Sequence, residues 1–152
     1  DFIPVAGDES KLKEIIKRCL SKHGYRTAPA AFTNQFVIQF DDTSIKIEIF
    51  TSDYSIKKTE KFPFGIHEIT VASLDDLLQL KLIAYKERKE ARDLYDIFCI
   101  LKNKDQSVNL VKDLVKESGP PINENELEKL VVDFKSYEMY KEVLKNVSTT
   151  GN

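Results

Sequence analysis

Lys81 stands inside the apolar run "LLQLKLIAY", where another leucine would pack at lower cost. Taking an ammonium out of water costs on the order of several kcal/mol unless it is paired. Seven positions on, Arg88 follows within the charged stretch "KERKEARD". On a helix that spacing returns a side chain to within about 20° of the same face, roughly 10 Å along the axis. Two cations so placed suit a triphosphate, the lysine as a point charge and the arginine as a fork. A plainer reading stays open, in which the lysine packs its stem and keeps its head wet.

Three carboxylates bear on the same chemistry. Asp93 and Asp96 lie one turn apart at the start of the next helical stretch. Acids in a first turn stabilise a helix by about 0.3–1 kcal/mol each, and Arg92 can pair with Asp96 at i,i+4. Glu48 sits between Ile47 and Ile49 in "SIKIEIF", on the strand face it shares with Lys46 and Phe50. It is either a solvated sheet carboxylate or one of several that converge to hold two divalent ions about 4 Å apart for phosphoryl transfer. The two histidines, His23 and His67, are far apart, with no zinc-ligand spacing. No serine–histidine or cysteine–histidine arrangement is legible, and no glycine run forms a phosphate-cradling loop.

The elements that must position these groups follow from periodicity. "DFIPV" reads as a strand end, and "DESKLKEIIKRCLSKHGY" as a helix with Leu12, Ile15, Ile16, Cys19 and Leu20 in step, stopped at Gly24. "NQFVIQF" and "SIKIEIF", joined by a short polar link, read as a hairpin. "SDYSIKKTEKFPFG" reads as a polar loop leading to a third strand, "IHEITVA". Ser73 then suits an N-cap, with Asp76 placed to reach back to it. The helix that follows is apolar on most sides and is expected to be central. Its apolar stripe lapses at Glu87 and Glu90 and resumes at Leu94, which predicts a break within 86–91. Further helices are expected at 108–116 and 123–146, with a loose "STTGN" tail. On the last helix Phe134, Tyr137 and Tyr140 read as packing residues, and its lysines alternate with glutamates as a solvated face.

A chain of 152 residues with 41% hydrophobic content supports one compact domain. Charged residues make up 32%, yet the formal net charge is -2, which excludes the global basic field of a dedicated nucleic-acid binder. Cys19 and Cys99 each fall in an apolar helical pattern and are expected as buried, reduced thiols, which points to the cytoplasm. No apolar run approaches the ~18 residues that span a bilayer, so no membrane partner is expected. The first residues alternate like a strand in progress and follow no methionine, so further residues are expected upstream.

Taken together, "VASLDDLLQLKLIAYKERKEARDLYDI", "SIKIEIF" and the opening "DF" resemble the motifs of the AbiEii-type nucleotidyltransferase family. The first is similar to the family's Ser-Leu-acidic start, Lys, Arg and closing Arg/Lys-Asp-x-x-Asp. The second resembles the strand that bears its third acidic residue, and Asp1 looks like the second aspartate of its Asp-x-Asp motif. The resemblance covers 1–101, and the family's Gly-rich motif and first aspartate would lie upstream. It implies an α+β, nucleotidyltransferase-like fold: a twisted, mostly antiparallel sheet backed by helices. The core would occupy 1–104 and a helical C-terminal extension of the same domain 105–152. It also implies a metal-dependent transfer of a nucleotide from an NTP to a hydroxyl of RNA or protein, in a toxin with an antitoxin partner. Asp1 and Glu48 would hold magnesium or manganese, Lys81 and Arg88 the phosphates, and Asp93 would position those cations. Asp1, Glu48, Lys81 and Asp93 are thus the implied catalytic set. The alternative is a non-catalytic relative that binds a nucleotide or protein through the same cleft.

Overall fold

The computed structural model describes residues 8–49 and 54–148. "DFIPV" and Asp1 lie outside the described residues, as do Phe50 and most of the tail. The chain forms two compact units, divided between Ser55 and Ile56.

In the first unit, Asp8 caps helix α1 (Glu9–Lys22) by accepting from the Ser10 amide at 2.8 Å. Leu12, Ile16 and Leu20 recur on one face and pack against Phe36, Ile38 and Ile49. Cys19 lies off that stripe and is exposed, and Cys99 is half-buried; the expected burial of both thiols does not hold. Gly24 ends the turn with φ of 82°, a conformation that costs other residues strain. Three antiparallel strands follow in the order β1 (Arg26–Pro29), β2 (Gln35–Gln39), β3 (Ser44–Glu48). The β2–β3 hairpin is the one expected. β1 was not legible because "RTAP" is short, ends in proline and lacks apolar alternation; its pairing with β2 makes it a strand.

The second unit opens on an antiparallel hairpin, β4 (Thr59–Phe64) and β5 (His67–Ala72). The segment expected to be a polar loop therefore contains a strand. Pro63 and its charged neighbours obscured it, yet a strand with only one partner tolerates proline. Gly65, with φ of 61°, opens the two-residue turn. Thus the expected single sheet is instead two small antiparallel sheets, within the α+β class.

Ser73 caps α2 (Leu74–Arg88) and accepts from the Asp76 amide. Asp76, 2% exposed, returns a carboxylate to the Ser73 hydroxyl (2.9 Å) and to the amides of Lys58 (2.9 Å) and Lys57 (3.1 Å). It ties the start of the helix to the approach of β4. α2 ends at Lys89, left-handed with φ of 54°, inside the expected interval. α3 (Ala91–Asn103) begins two residues later, and it, rather than α2, is central. Ala91, Leu94, Ile97 and Phe98 are fully buried because α3 packs against α2, α4, α5 and α6. α2 leaves Leu74 and Ile83 exposed.

α4 (Asn109–Ser118) forms as expected. The last expected helix is split into α5 (Glu124–Glu128) and α6 (Phe134–Ser148). Asp133 restarts the helix by accepting from the Ser136 amide and hydroxyl. Tyr137 and Tyr140 are buried beside Tyr95, as the spacing implied, whereas Phe134 is exposed. Lys141 and Lys145 pair with Glu138 and Glu142, the expected solvated face.

Replacing Asp76 by alanine removes the acceptor that serves the part-buried amides of Lys57 and Lys58 and the buried Ser73 hydroxyl. A loss of about 2–4 kcal/mol is expected in urea unfolding. A loss below ~0.5 kcal/mol would mean that these hydrogen bonds are replaced by water.

Candidate phosphate-binding site

Lys81 lies in the second half of α2 and Arg88 at its last position, so both depend on a helix that ends where it does. The left-handed Lys89 and the extended Glu90 then turn the chain through two residues. This places the first turn of α3 beside the last turns of α2, and Asp93 comes between the two cations.

Asp93 is fully buried. Its Oδ2 accepts from Arg88 Nε at 2.6 Å and its Oδ1 from Arg88 Nη2 at 2.9 Å, a two-point fork. Oδ1 also accepts from Lys81 Nζ at 3.2 Å. Burial pushes the Asp93 carboxyl up, but the Arg88 hydrogen bonds and the nearby Lys81 charge outweigh it and hold its pKa below the usual value. Lys81 Nζ makes a second ion pair with Asp96 Oδ2 at 2.6 Å.

The Lys81 head is thus paired, with 31% of the side chain exposed. Asp96, which could pair with Arg92 on its own helix, meets Lys81 instead. The signal for it was its i,i+3 spacing from Asp93, which puts both on one face. Arg88 keeps 60% of its side chain exposed while it grips Asp93. Two cations and two carboxylates cancel formally in this cluster, so an incoming phosphate competes with acids that already occupy the cations.

Other residues fix the turn from outside, and nothing in their spacing announced them. Ile122 donates its amide to Lys89 O and accepts at its carbonyl from Ala91 N, each at 2.8 Å. Asn123 Nδ2 donates to the Glu90 carboxylate at 2.9 and 3.0 Å. The Tyr85 hydroxyl donates to Gly119 O at 2.8 Å. Burial, then the charge of Glu124, pushes that phenol up to about 12.

Glu48 belongs to the other unit. It lies opposite Gln35 in the β2–β3 register, half-buried, on the face that also carries Lys46. A carboxylate suits a hard divalent cation. Among the described residues, however, no three acidic, histidine or cysteine side chains gather as a metal site, and Asp1 lies outside them. Lys81, Arg88 and Asp93 are thus brought together, and Glu48 is placed within its own unit.

The model of a family described as "Nucleotidyl transferase AbiEii toxin, Type IV TA system" matches residues 3–150. The chain belongs to the AbiEii nucleotidyltransferase toxin family. No match was found among curated proteins or among solved structures. Membership of the AbiEii family implies a nucleotidyltransferase of a toxin–antitoxin system, and with it a nucleotide substrate and an antitoxin partner. Among the described residues, no helix is long and apolar enough to cross a membrane.

Asp93→Asn keeps the shape of the site and removes the charge. At pH 7 it should cost about 2–3 kcal/mol, the effect of leaving two cations without their buried partner. Because the folded pKa of Asp93 is lowered, its contribution is complete above the unfolded value of about 3.9. It fades as pH falls through the lower folded value. Urea unfolding of both proteins from neutral pH into acid should show the gap closing; a flat gap would remove Asp93 from the pairing.

Proposed function

We propose that the protein transfers a nucleotide from an NTP to a hydroxyl of an RNA or protein acceptor, acting as a toxin held in check by an antitoxin. The observation that supports this most is the pairing of Lys81 and Arg88 on one buried carboxylate, in a chain matched almost throughout by the AbiEii family. A cation held by a buried anion is fixed in position before any ligand arrives. Such preorganised charge is the main resource of an enzyme that moves phosphoryl groups.

In this reading Arg88 stays forked on Asp93 and offers its exposed side to the phosphates. Lys81 swings its ammonium from Asp96 toward the same group while Asp93 keeps it oriented. Asp96 is the resting counter-ion that the phosphate displaces. Glu48, with Asp1, would hold magnesium or manganese. The bound ion would supply charge neutralisation at the phosphates and lower the pKa of the acceptor hydroxyl. Positioning of the two reactants should supply much of the remaining acceleration.

Transfer of label from each α-labelled NTP to RNA and to protein, in magnesium or manganese, tests the reading. Lys81→Met and Arg88→Met should each lower transfer by about 100-fold or more. Glu48→Gln should do the same. Asp96→Asn should tighten NTP binding several-fold, because Lys81 no longer has to leave a carboxylate. Binding that persists without transfer to any acceptor would replace the enzyme by a non-catalytic nucleotide-binding relative. Indifference of binding and transfer to Lys81 and Arg88 would dismiss the site altogether.

A further inference from the structure

The β4–β5 hairpin that opens the second unit is amphipathic and has no third strand among the described residues. In its register Glu60, Phe62 and Phe64 share a face with His67, Ile69 and Val71. Phe62, Phe64 and Ile69 are exposed, and Ile66 in the turn is 94% exposed. A lone two-stranded hairpin is marginal in water and gains stability from a further strand or a packed face.

Hydrogen bonding decides which edge can take that strand. The Ser73 amide donates to Lys58 O at 3.0 Å, so these two residues face each other as a hydrogen-bonded pair. Antiparallel pairs alternate, so Glu60–Val71, Phe62–Ile69 and Phe64–His67 bond within the hairpin. The backbone N–H and C=O groups of Glu68, Thr70 and Ala72 therefore point away from β4, and they meet no other backbone partner among the described residues. On β4 the outward positions are Thr59, Lys61 and Pro63. Pro63 has no N–H, which blocks that edge. β5 is the open one.

We propose that two copies of the chain pair antiparallel through β5, about a two-fold axis at Thr70, and form a four-stranded sheet. This register sets Glu68 opposite Ala72 of the second copy and Thr70 opposite its counterpart, so each outward group of β5 finds a partner. Moving the axis to Ile69 leaves Ala72 opposite the turn, and moving it to Val71 leaves Glu68 opposite Leu74 in α2. An axis at Glu68 would set two carboxylates face to face. With the axis at Thr70 no like charges meet. Ile69 then lies beside Val71 of the second copy on the apolar face, a favourable cross-strand pair. The exposed Ile66 is carried toward the other copy's Leu74, which is also exposed in the single chain. The inference stands apart from the nucleotidyltransfer reading.

Sedimentation of the full chain should show a reversible monomer–dimer equilibrium, half complete at roughly 10–100 µM, the strength of a small interface. Thr70→Pro removes the central outward N–H and none that bonds β4. It should weaken the dimer about tenfold or more and leave the urea midpoint of the monomer in place. Thr70→Cys, in a chain that also carries Cys19→Ser, should give a disulfide-linked dimer on mild oxidation, because opposed hydrogen-bonded residues lie about 5.5 Å apart at Cα. Lys61→Cys, on the blocked edge, should not. The proposal is overturned by a chain that stays monomeric at about 1 mM. A dimer indifferent to Thr70→Pro, or one that links through Lys61→Cys and not Thr70→Cys, overturns it too. So does slow hydrogen exchange at the Thr70 amide of a monomer, which would give the edge to another segment of the same chain. The cross-link needs no proline, so a Thr70→Pro protein that fails to fold leaves the test intact.

Discussion

The second unit is organised around one buried carboxylate. Asp93 has no exposed surface, and an ionised group in that position is tolerated only because three cationic N–H donors reach it. Those donors come from α2 and the acceptor from α3, so the ion pairs and the packing of the two helices are one arrangement. Loss of either weakens the other. The left-handed Lys89 serves the same end: it ends α2 one residue after Arg88 and lets the chain double back while Asp93 is still within reach. A non-glycine residue adopts that conformation at some cost, which the ion pairs and the core beneath them offset.

Much of this was legible in the residues. Lys81 broke an apolar run, Arg88 fell on the same helical face, and the lapse of the stripe at Glu87 and Glu90 located the turn. Ser73 and Asp76 announced the start of α2 through the chemistry of a cap. These signals are local, and local signals survive in sequence. The β2–β3 hairpin was legible for the same reason, as two alternating runs with a short link.

What escaped the sequence was set by partners distant along the chain. β1 is a strand because β2 offers it a ladder, and β4 because β5 does; "RTAP" and "TEKFPF" carry little strand character alone. α3 outranks α2 in burial because α3 packs against α2, α4, α5 and α6. Asp96 has Arg92 in reach on its own helix by spacing, yet a lysine from the preceding helix pairs with it. Asp1, the acidic partner that the resemblance implies for Glu48, lies outside the described residues.

The two backbone hydrogen bonds between Ile122 and the residues that flank Glu90 make the α2–α3 elbow a stitched seam instead of a hinge. Opening it means unpicking the 119–124 strap and, with it, the anchorage of Tyr85 on Gly119. The pair of cations is therefore held by the cooperative unit that includes the C-terminal helices. Loosening those helices, far along the chain from any phosphate, would slacken the grip at Arg88 before any change reached the site directly.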